Sequence, residues 1–147
     1  EARERSRRNV YGVLPGFDSE DEAEFARLLD RCEDVLWWHR NPSSGPEAQR
    51  LQLYRWNDGS AFHPDFVVAY RGRPSPDHIA LVEVKGKRGW GDTIDVKKAE
   101  GPAHQDYGRC FFVGREKGGK FQRLLPLNGR LEPHSAFDFA QLNWVER

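Results

Sequence analysis

The chain has 147 residues and a mass of 17.0 kDa, which suits one compact domain and is too short for two ordinary ones. Its longest apolar run, 79–82, is far shorter than the roughly 20 residues of a membrane-spanning helix. We therefore do not expect the chain to be a membrane protein. The 23 basic residues balance the 23 acidic ones, which disfavours a stand-alone DNA binder that relies on overall charge.

The charge is unevenly distributed along the chain. Residues 84–123 hold ten Lys or Arg against five Asp or Glu, so this stretch carries +5 and the remainder −5. A phosphate ligand responds to the local field, so a basic face is predicted here. Two cysteines, Cys32 and Cys110, are too few for a disulfide scaffold and lack the CxxC spacing of zinc sites. We therefore expect reduced thiols and a cytoplasmic location.

The first half of the chain predicts a helix followed by strands. Residues 1–17 form a lead-in segment or linker, and 18–147 form a single domain that we expect to be part of a longer chain. Asp18 or Ser19 caps a helix that runs to about Cys32, because acids fill its first turn and apolar residues follow at helical spacing. Strands are then predicted at Val35–Trp38, Leu51–Trp56, Phe62–Tyr70 and His78–Lys85, the last of them central in the sheet.

The second half predicts a glycine-rich loop at 86–91 and a mixture of helices and strands. A helix starts at Asp92 or Thr93 and ends near Glu100, and a closing helix spans Ser135–Trp144. Between them lie strands at Cys110–Val113 and Phe121–Leu127, the second ended by an Asn128-Gly129 turn. This order of elements predicts an α/β sandwich around a mixed sheet.

Three charged residues occupy the ends of two neighbouring predicted strands. Asp65 lies near the start of one strand, and Glu83 and Lys85 end the next and project to one face because they are two residues apart. Adjacent strands are about 4.8 Å apart, which brings Asp65 within reach of Glu83. Two carboxylates and the carbonyl of Val84 are hard oxygen ligands suited to Mg²⁺. Lys85 would orient an attacking water and offset charge on a phosphate.

Two short motifs contain these three residues: Phe62-His63-Pro64-Asp65-Phe66-Val67-Val68 and Glu83-Val84-Lys85-Gly86. Together they resemble the PD-(D/E)xK nuclease superfamily, and within it the C-terminal endonuclease domain of type III restriction enzymes and related helicase-nuclease proteins. Further similarity lies in Glu22-x-x-Phe25-Ala26-x-x-Leu29-Asp30 and in 35–42, and the resemblance covers roughly residues 10–115. It implies a three-layer α/β/α sandwich around a mixed β-sheet, restriction-endonuclease-like, with an αβββαβ core.

The resemblance also implies the roles of individual residues. Asp65 and Glu83 match the metal-binding acids, with Val84 as a carbonyl ligand, and Lys85 matches the catalytic lysine. Glu22 fits the additional acid that family members often take from the first helix. The implied cofactor is Mg²⁺, for which Mn²⁺ substitutes. Contacts to nucleic acid are expected from Lys87, Arg88, Trp90, Lys97 and Lys98, although packing is an equal alternative for Trp90.

The function expected from the resemblance is a Mg²⁺-dependent endonuclease domain that hydrolyses DNA, working with helicase, ATPase or modification domains of a larger protein. Two alternatives remain open at this point. The domain could be a non-catalytic docking or nucleic-acid-binding module that keeps the nuclease fold, or a nuclease acting on RNA or branched DNA. Double-strand cutting by this fold generally needs two active sites, which a dimer would supply.

Overall fold

A computed structural model describes residues 4–42, 53–54, 61–71, 79–91, 109–116 and 118–137. Within these ranges the chain forms one α-helix, eight strands and one short 3-10 helix. Their bounds are α1 (Glu20–Arg31), β1 (Val35–Arg40), β2 (Leu53–Tyr54), β3 (Ala61–Phe62), β4 (Phe66–Tyr70), β5 (Ile79–Val84), the 3-10 helix Lys87–Gly91, β6 (Arg109–Gly114), β7 (Gln122–Leu127) and β8 (Arg130–Ala136).

The strands form a six-stranded mixed sheet and a separate pair. The large sheet has the order β1-β4-β5-β6-β7-β8, and β2 pairs only with β3. β5 and β6 run parallel, while the other neighbours in the large sheet are antiparallel. The predicted α/β class with a mixed sheet is therefore confirmed, and β5 lies inside the sheet as expected.

Helix α1 begins where its sequence predicts. Ser19 is the N-cap with extended backbone, and its hydroxyl accepts a hydrogen bond from the Glu22 N–H at 3.2 Å, a cap that contributes about 1 kcal/mol. Phe25 and Leu29 are fully buried on the inward face, and the Phe25 ring centroid lies 5.3 Å from that of Phe66. In the part of the chain that is described, no helix combines the length and apolar character needed to cross a membrane.

Each face of the large sheet carries its own apolar cluster. On the helix side, Phe25 and Leu29 of α1 pack against Phe66 and Val82, which lie opposite each other on β4 and β5. On the other side the buried cluster comprises Leu81, Trp90, Cys110, Phe112, Leu124 and Leu131. Because successive residues of a strand alternate between faces, β5 is buried on both sides, as its nearly continuous apolar sequence predicts.

Residues 4–17 pack on the domain. The Trp38 N–H donates to the Arg8 carbonyl at 2.9 Å, and the Val10 N–H donates to the Trp38 carbonyl at 3.1 Å, so this segment lies along the outer edge of β1. The Asp30 carboxylate, on α1, accepts hydrogen bonds from the Ser6 hydroxyl at 2.5 Å and from the Trp38 indole at 3.2 Å. The predicted lead-in segment is thus part of the same folded unit.

Two predicted elements differ in the structure. The strand predicted at Phe62–Tyr70 is divided, because Pro64 has no N–H to donate to a sheet; β3 ends before it and β4 begins after it. The helix predicted from Ser135 is wrong at its start, because Ser135 and Ala136 belong to β8 and pair with β7 through a two-residue turn. The helix predicted from 92 to 100, and residues 138–144 of the closing helix, lie outside the described residues.

We expect the Asp30 carboxylate to hold residues 4–17 in place. Partial burial raises its pKa, but hydrogen bonds from Ser6, Arg7, Arg8 and Trp38 together lower it below the ordinary value. The ionised form therefore contributes stability that is present above about pH 4 and is lost as the pH falls through the lowered pKa. Asp30→Ala should cost about 1–3 kcal/mol in urea unfolding at pH 7, and less near pH 2.

Glu33→Gln is the matched control for this measurement. Glu33 is exposed, and its described contact is made by its main-chain carbonyl, which accepts from Arg71. Its substitution should stay within about 0.5 kcal/mol of the wild type. Equal stabilities for the Asp30 and Glu33 variants at pH 7 would contradict the role assigned to Asp30.

Candidate functional site

The register of β4 and β5 brings Asp65 and Glu83 together at one end of the sheet. Phe66 lies opposite Val82 in an antiparallel pair, so Asp65, one residue earlier, faces Glu83, one residue later. The Asp65 Oδ2 accepts a hydrogen bond from the main-chain N–H of Val84 at 2.8 Å. The predicted convergence of these side chains therefore holds, and the Asp65 side chain is fixed against the strand that carries Glu83.

Lys85 completes the group on the same strand. Its Nζ lies 2.9 Å from the Glu83 Oε2, and both side chains are largely buried. Its backbone is held on two sides, because its N–H donates to the Val113 carbonyl at 2.8 Å and its carbonyl accepts from the Trp90 indole at 3.2 Å. Contacts from β6 and from the 3-10 helix therefore hold the Lys85 backbone, and with it the ammonium beside the Glu83 carboxylate.

Arg40 is a site residue that the sequence reasoning missed. It ends β1 directly beside β4, and its guanidinium lies 3.1 Å from the Glu22 Oε1, 3.3 Å from the Asp18 Oδ2 and 3.9 Å from the Asp65 Oδ1. The arginine is in the stretch 35–42 that supports the family resemblance. The sequence contained one signal for its role. Arg40 ends a strand rich in apolar and aromatic residues, and a charge buried there requires an oppositely charged partner.

Glu22 reaches this end of the sheet, but its oxygens are both in use. Oε1 pairs with Arg40, and Oε2 accepts a hydrogen bond from the main-chain N–H of Asp18 at 3.1 Å. The second contact is of the capping-box kind, in which a glutamate in the first helical turn reaches back to the residues before the helix. Glu22 therefore serves the start of α1 and the charge of Arg40 in this structure.

The carboxyl group of Asp65 has a strongly perturbed acidity. Burial is the main cause, and together with the negative charge of Glu83 it raises the pKa of Asp65 to about 8. The hydrogen bond from Val84 and the charge of Arg40 oppose this shift, while Glu22 adds to it. Two carboxylates held this close disfavour ionisation of both, and a cation that binds between them relieves that repulsion.

The donor set fits a divalent cation at Asp65 and Glu83. Both are carboxylates, both are largely buried, and they lie opposite each other on paired strands, with the Val84 N–H bonded to Asp65. Across the ranges that the structure describes, no three His, Cys, Asp or Glu side chains form a ready metal-binding group. Two carboxylates are nevertheless a usual protein contribution to Mg²⁺, which keeps several waters.

The residues expected to contact nucleic acid lie in different environments. Trp90 is buried at 3% exposure in the apolar cluster opposite α1, so its ring packs in the core and is not presented for stacking on a base. Lys87 is exposed and pairs with Glu116 at 2.8 Å, a surface pair that a phosphate can replace at little cost. Lys97, Lys98 and the side chain of Arg88 lie outside the described residues.

A cleft of about 340 Å³ opens beside Arg40, between the N-terminal segment and the end of β1. Its lining includes Tyr11, His39 and Arg40, and the rings of Tyr11 and His39 meet edge to face with centroids 5.8 Å apart. Tyr11 is 60% exposed. The cleft therefore offers aromatic surface next to Arg40, which contacts Glu22 and Asp65.

The charge state of Asp65 predicts a pH-dependent stability. Its pKa is raised in the folded state, so its contribution is fully present below about pH 4 and is lost as the pH rises through about 8. Asp65→Asn should remove this loss, and the variant should gain stability relative to the wild type between pH 5 and pH 9 in thermal unfolding without added metal. Asp34→Asn, at an exposed carboxylate, should show no such gain.

Gly114 permits the close approach that fixes Lys85. A Cβ at this position would lie 2.7 Å from the Lys85 carbonyl oxygen and 2.9 Å from the Trp90 Nε1. Gly114→Ala should therefore destabilise the fold by about 1–3 kcal/mol in urea unfolding. Gly86→Ala, where a Cβ would meet nothing within 4 Å, is the control and should change stability by less than about 0.5 kcal/mol.

Comparison with protein-family models, with curated proteins and with solved structures finds no match for this chain.

Proposed function

We propose that this chain is a divalent-metal-dependent endonuclease domain that hydrolyses DNA phosphodiester bonds. The observation that carries the proposal is the meeting of Asp65, Glu83 and Lys85 at one end of the sheet, with the lysine ammonium 2.9 Å from the glutamate. A restriction-endonuclease-like αβββαβ core is part of the proposal. It is supported by the antiparallel order β1-β4-β5 and by the parallel pairing of β6 with β5.

The buried acids favour catalysis over a purely structural role for this group. Glu83 is 4% exposed and faces a second carboxylate across the sheet, an arrangement that costs free energy in a protein without a cation to bind. A strand-end ion pair that only stabilised the fold would not require Asp65 as well. The cost is consistent with a site that binds a metal and a phosphate.

The residues divide the chemistry as follows. Asp65, Glu83 and the carbonyl of Val84 would hold Mg²⁺, with Mn²⁺ as a substitute. When bound, the metal would act as a Lewis acid on the phosphoryl oxygen and favour deprotonation of the attacking water. The Lys85 ammonium orients that water and stabilises the negative charge that develops on the phosphate. The Val113 and Trp90 contacts keep the lysine in place during this step.

The substrate is assigned from charge and from the resemblance. The +5 is carried by residues 84–123, a stretch that begins within the motif Glu83-Val84-Lys85-Gly86 and continues after it in the sequence. A local positive charge of this kind suits a phosphate backbone. Since the whole chain is neutral, other domains of a restriction or helicase-nuclease assembly would deliver the DNA. Lys87 and Arg88, next to the motif, and Lys97 and Lys98 are the proposed phosphate contacts.

The test is cleavage of supercoiled plasmid and linear DNA with Mg²⁺ or Mn²⁺. Lys85→Gln should lower the rate at least about 100-fold, and Asp65→Asn should abolish metal-dependent cleavage. Arg130→Gln and Asp34→Asn are the charge-matched controls. Arg130 pairs with Glu132 at an exposed position, and Asp34 is an exposed acid, so both variants should cut at the wild-type rate.

Two outcomes would contradict the proposal. Equal cleavage by the wild type and by the Lys85 and Asp65 variants would assign the activity to another source. Failure of the wild type to cut any member of a panel of duplex, branched and single-stranded DNA and RNA would favour a non-catalytic nucleic-acid-binding module. Cleavage confined to RNA or to branched DNA would keep the site and change its substrate.

A further inference from the structure

Three carboxylates converge on one buried positive charge at the helix side of the proposed site. The Nη2 of Arg40 lies 3.1 Å from Glu22 and 3.3 Å from Asp18, and its Nη1 lies 3.9 Å from Asp65. The side chain of Arg40 is 8% exposed and that of Glu22 is 9% exposed. The guanidinium therefore occupies the position between Glu22 and Asp65 that a cation shared by these two acids would take.

The guanidinium is fixed there by groups other than the acids. Its Nη1 donates to the main-chain carbonyl of Asn41 and, at 3.4 Å, to that of Asp65. Its central carbon lies 5.8 Å from the ring centroid of Phe66, which is fully buried. Because these contacts come from the backbone and the core, the positive charge of Arg40 is a permanent part of the fold.

Glu22 is held by the same arrangement. One carboxylate oxygen pairs with Arg40 and the other accepts from the main-chain N–H of Asp18, so each oxygen of Glu22 has a partner within the fold. To bind a metal, Glu22 would have to leave a buried guanidinium without its nearest acid. Removing one partner of a buried ion pair is strongly unfavourable.

We propose that Arg40 is a positioning residue that takes the place of a second divalent cation. By neutralising Glu22 and the adjacent side of Asp65, it limits the site to a single divalent ion, which is bound by Asp65, Glu83 and the Val84 carbonyl. Glu22 then has no role as a metal ligand. This inference rests on the proposed function and specifies its metal stoichiometry.

The test counts Mn²⁺ ions bound to the full chain by calorimetry and by the electron paramagnetic resonance of free Mn²⁺. The wild type should bind one ion, and Glu22→Gln should also bind one, with an affinity within about threefold. Arg40→Gln should bind a second ion, because Glu22, Asp18 and Asp65 lose their internal cation. Arg27→Gln, which removes an exposed arginine paired with Glu20 and Glu24, should behave as the wild type.

Thermal unfolding without metal keeps the inference testable if the Arg40 variant binds metal poorly because it fails to fold. Arg40→Gln should lower the midpoint of thermal unfolding, and the double variant with Glu22→Gln should recover at least half of that loss, because an unpaired buried carboxylate is removed. Arg40→Lys keeps the charge and should bind one ion. No recovery in the double variant would overturn the inference.

The other outcomes separate this inference from the proposed function. Two ions on the wild type, loss of the ion in Glu22→Gln, or a single ion on folded Arg40→Gln would overturn the inference and leave the nuclease proposal standing. If the wild type bound no Mn²⁺ at millimolar concentrations, the proposed metal-dependent activity would be contradicted, and the role of Arg40 with it.

Discussion

The antiparallel pairing of β4 with β5 is the constraint on which the rest of the site depends. It places Phe66 opposite Val82, and so places Asp65 opposite Glu83. A register slip of one residue would send every side chain of β4 to the other face of the sheet. Buried apolar clusters on both faces of β5 prevent such a slip, because each requires its own set of strand residues. The core therefore sets the geometry of the charged group.

Electrostatics at this end of the sheet follow from that geometry. Burial next to Glu83 raises the pKa of Asp65, and three basic side chains offset the nearby acids. Lys85 lies against Glu83, Arg40 against Glu22, and Arg115 against Asp21 at 2.7 Å. The last two pairs tie the first turn of α1 to the ends of β1 and β6. Helix and sheet are thus held together at the place where we propose that the chemistry occurs.

The three acids that the sequence predicts as metal ligands have different contacts in the structure. Asp65 and Glu83 face each other across two paired strands, whereas Glu22 is engaged by Arg40 and by the start of its own helix. Trp90, for which contact with nucleic acid and packing are equal alternatives on the sequence, packs in the core, and its indole donates a hydrogen bond to the Lys85 carbonyl. The site therefore has two acids that face each other, where the motif suggests three. Arg40 lies beside Asp65, and Lys85 lies beside Glu83.

Local patterns in the sequence determined the elements that depend on neighbouring residues. The Ser19 cap and the acids after it start α1, and the burial of β5 on both faces follows from its apolar run. Asn128-Gly129, both at positive φ, form the turn between β7 and β8. Pro64, which has no N–H to donate to a sheet, separates β3 from β4. Tertiary structure decided the strand at Ser135, because pairing with β7 outweighs local helix propensity. It also decided the contacts of Arg40, whose partners Glu22 and Asp65 are 18 and 25 positions away in the chain and meet it only after α1 packs on the sheet.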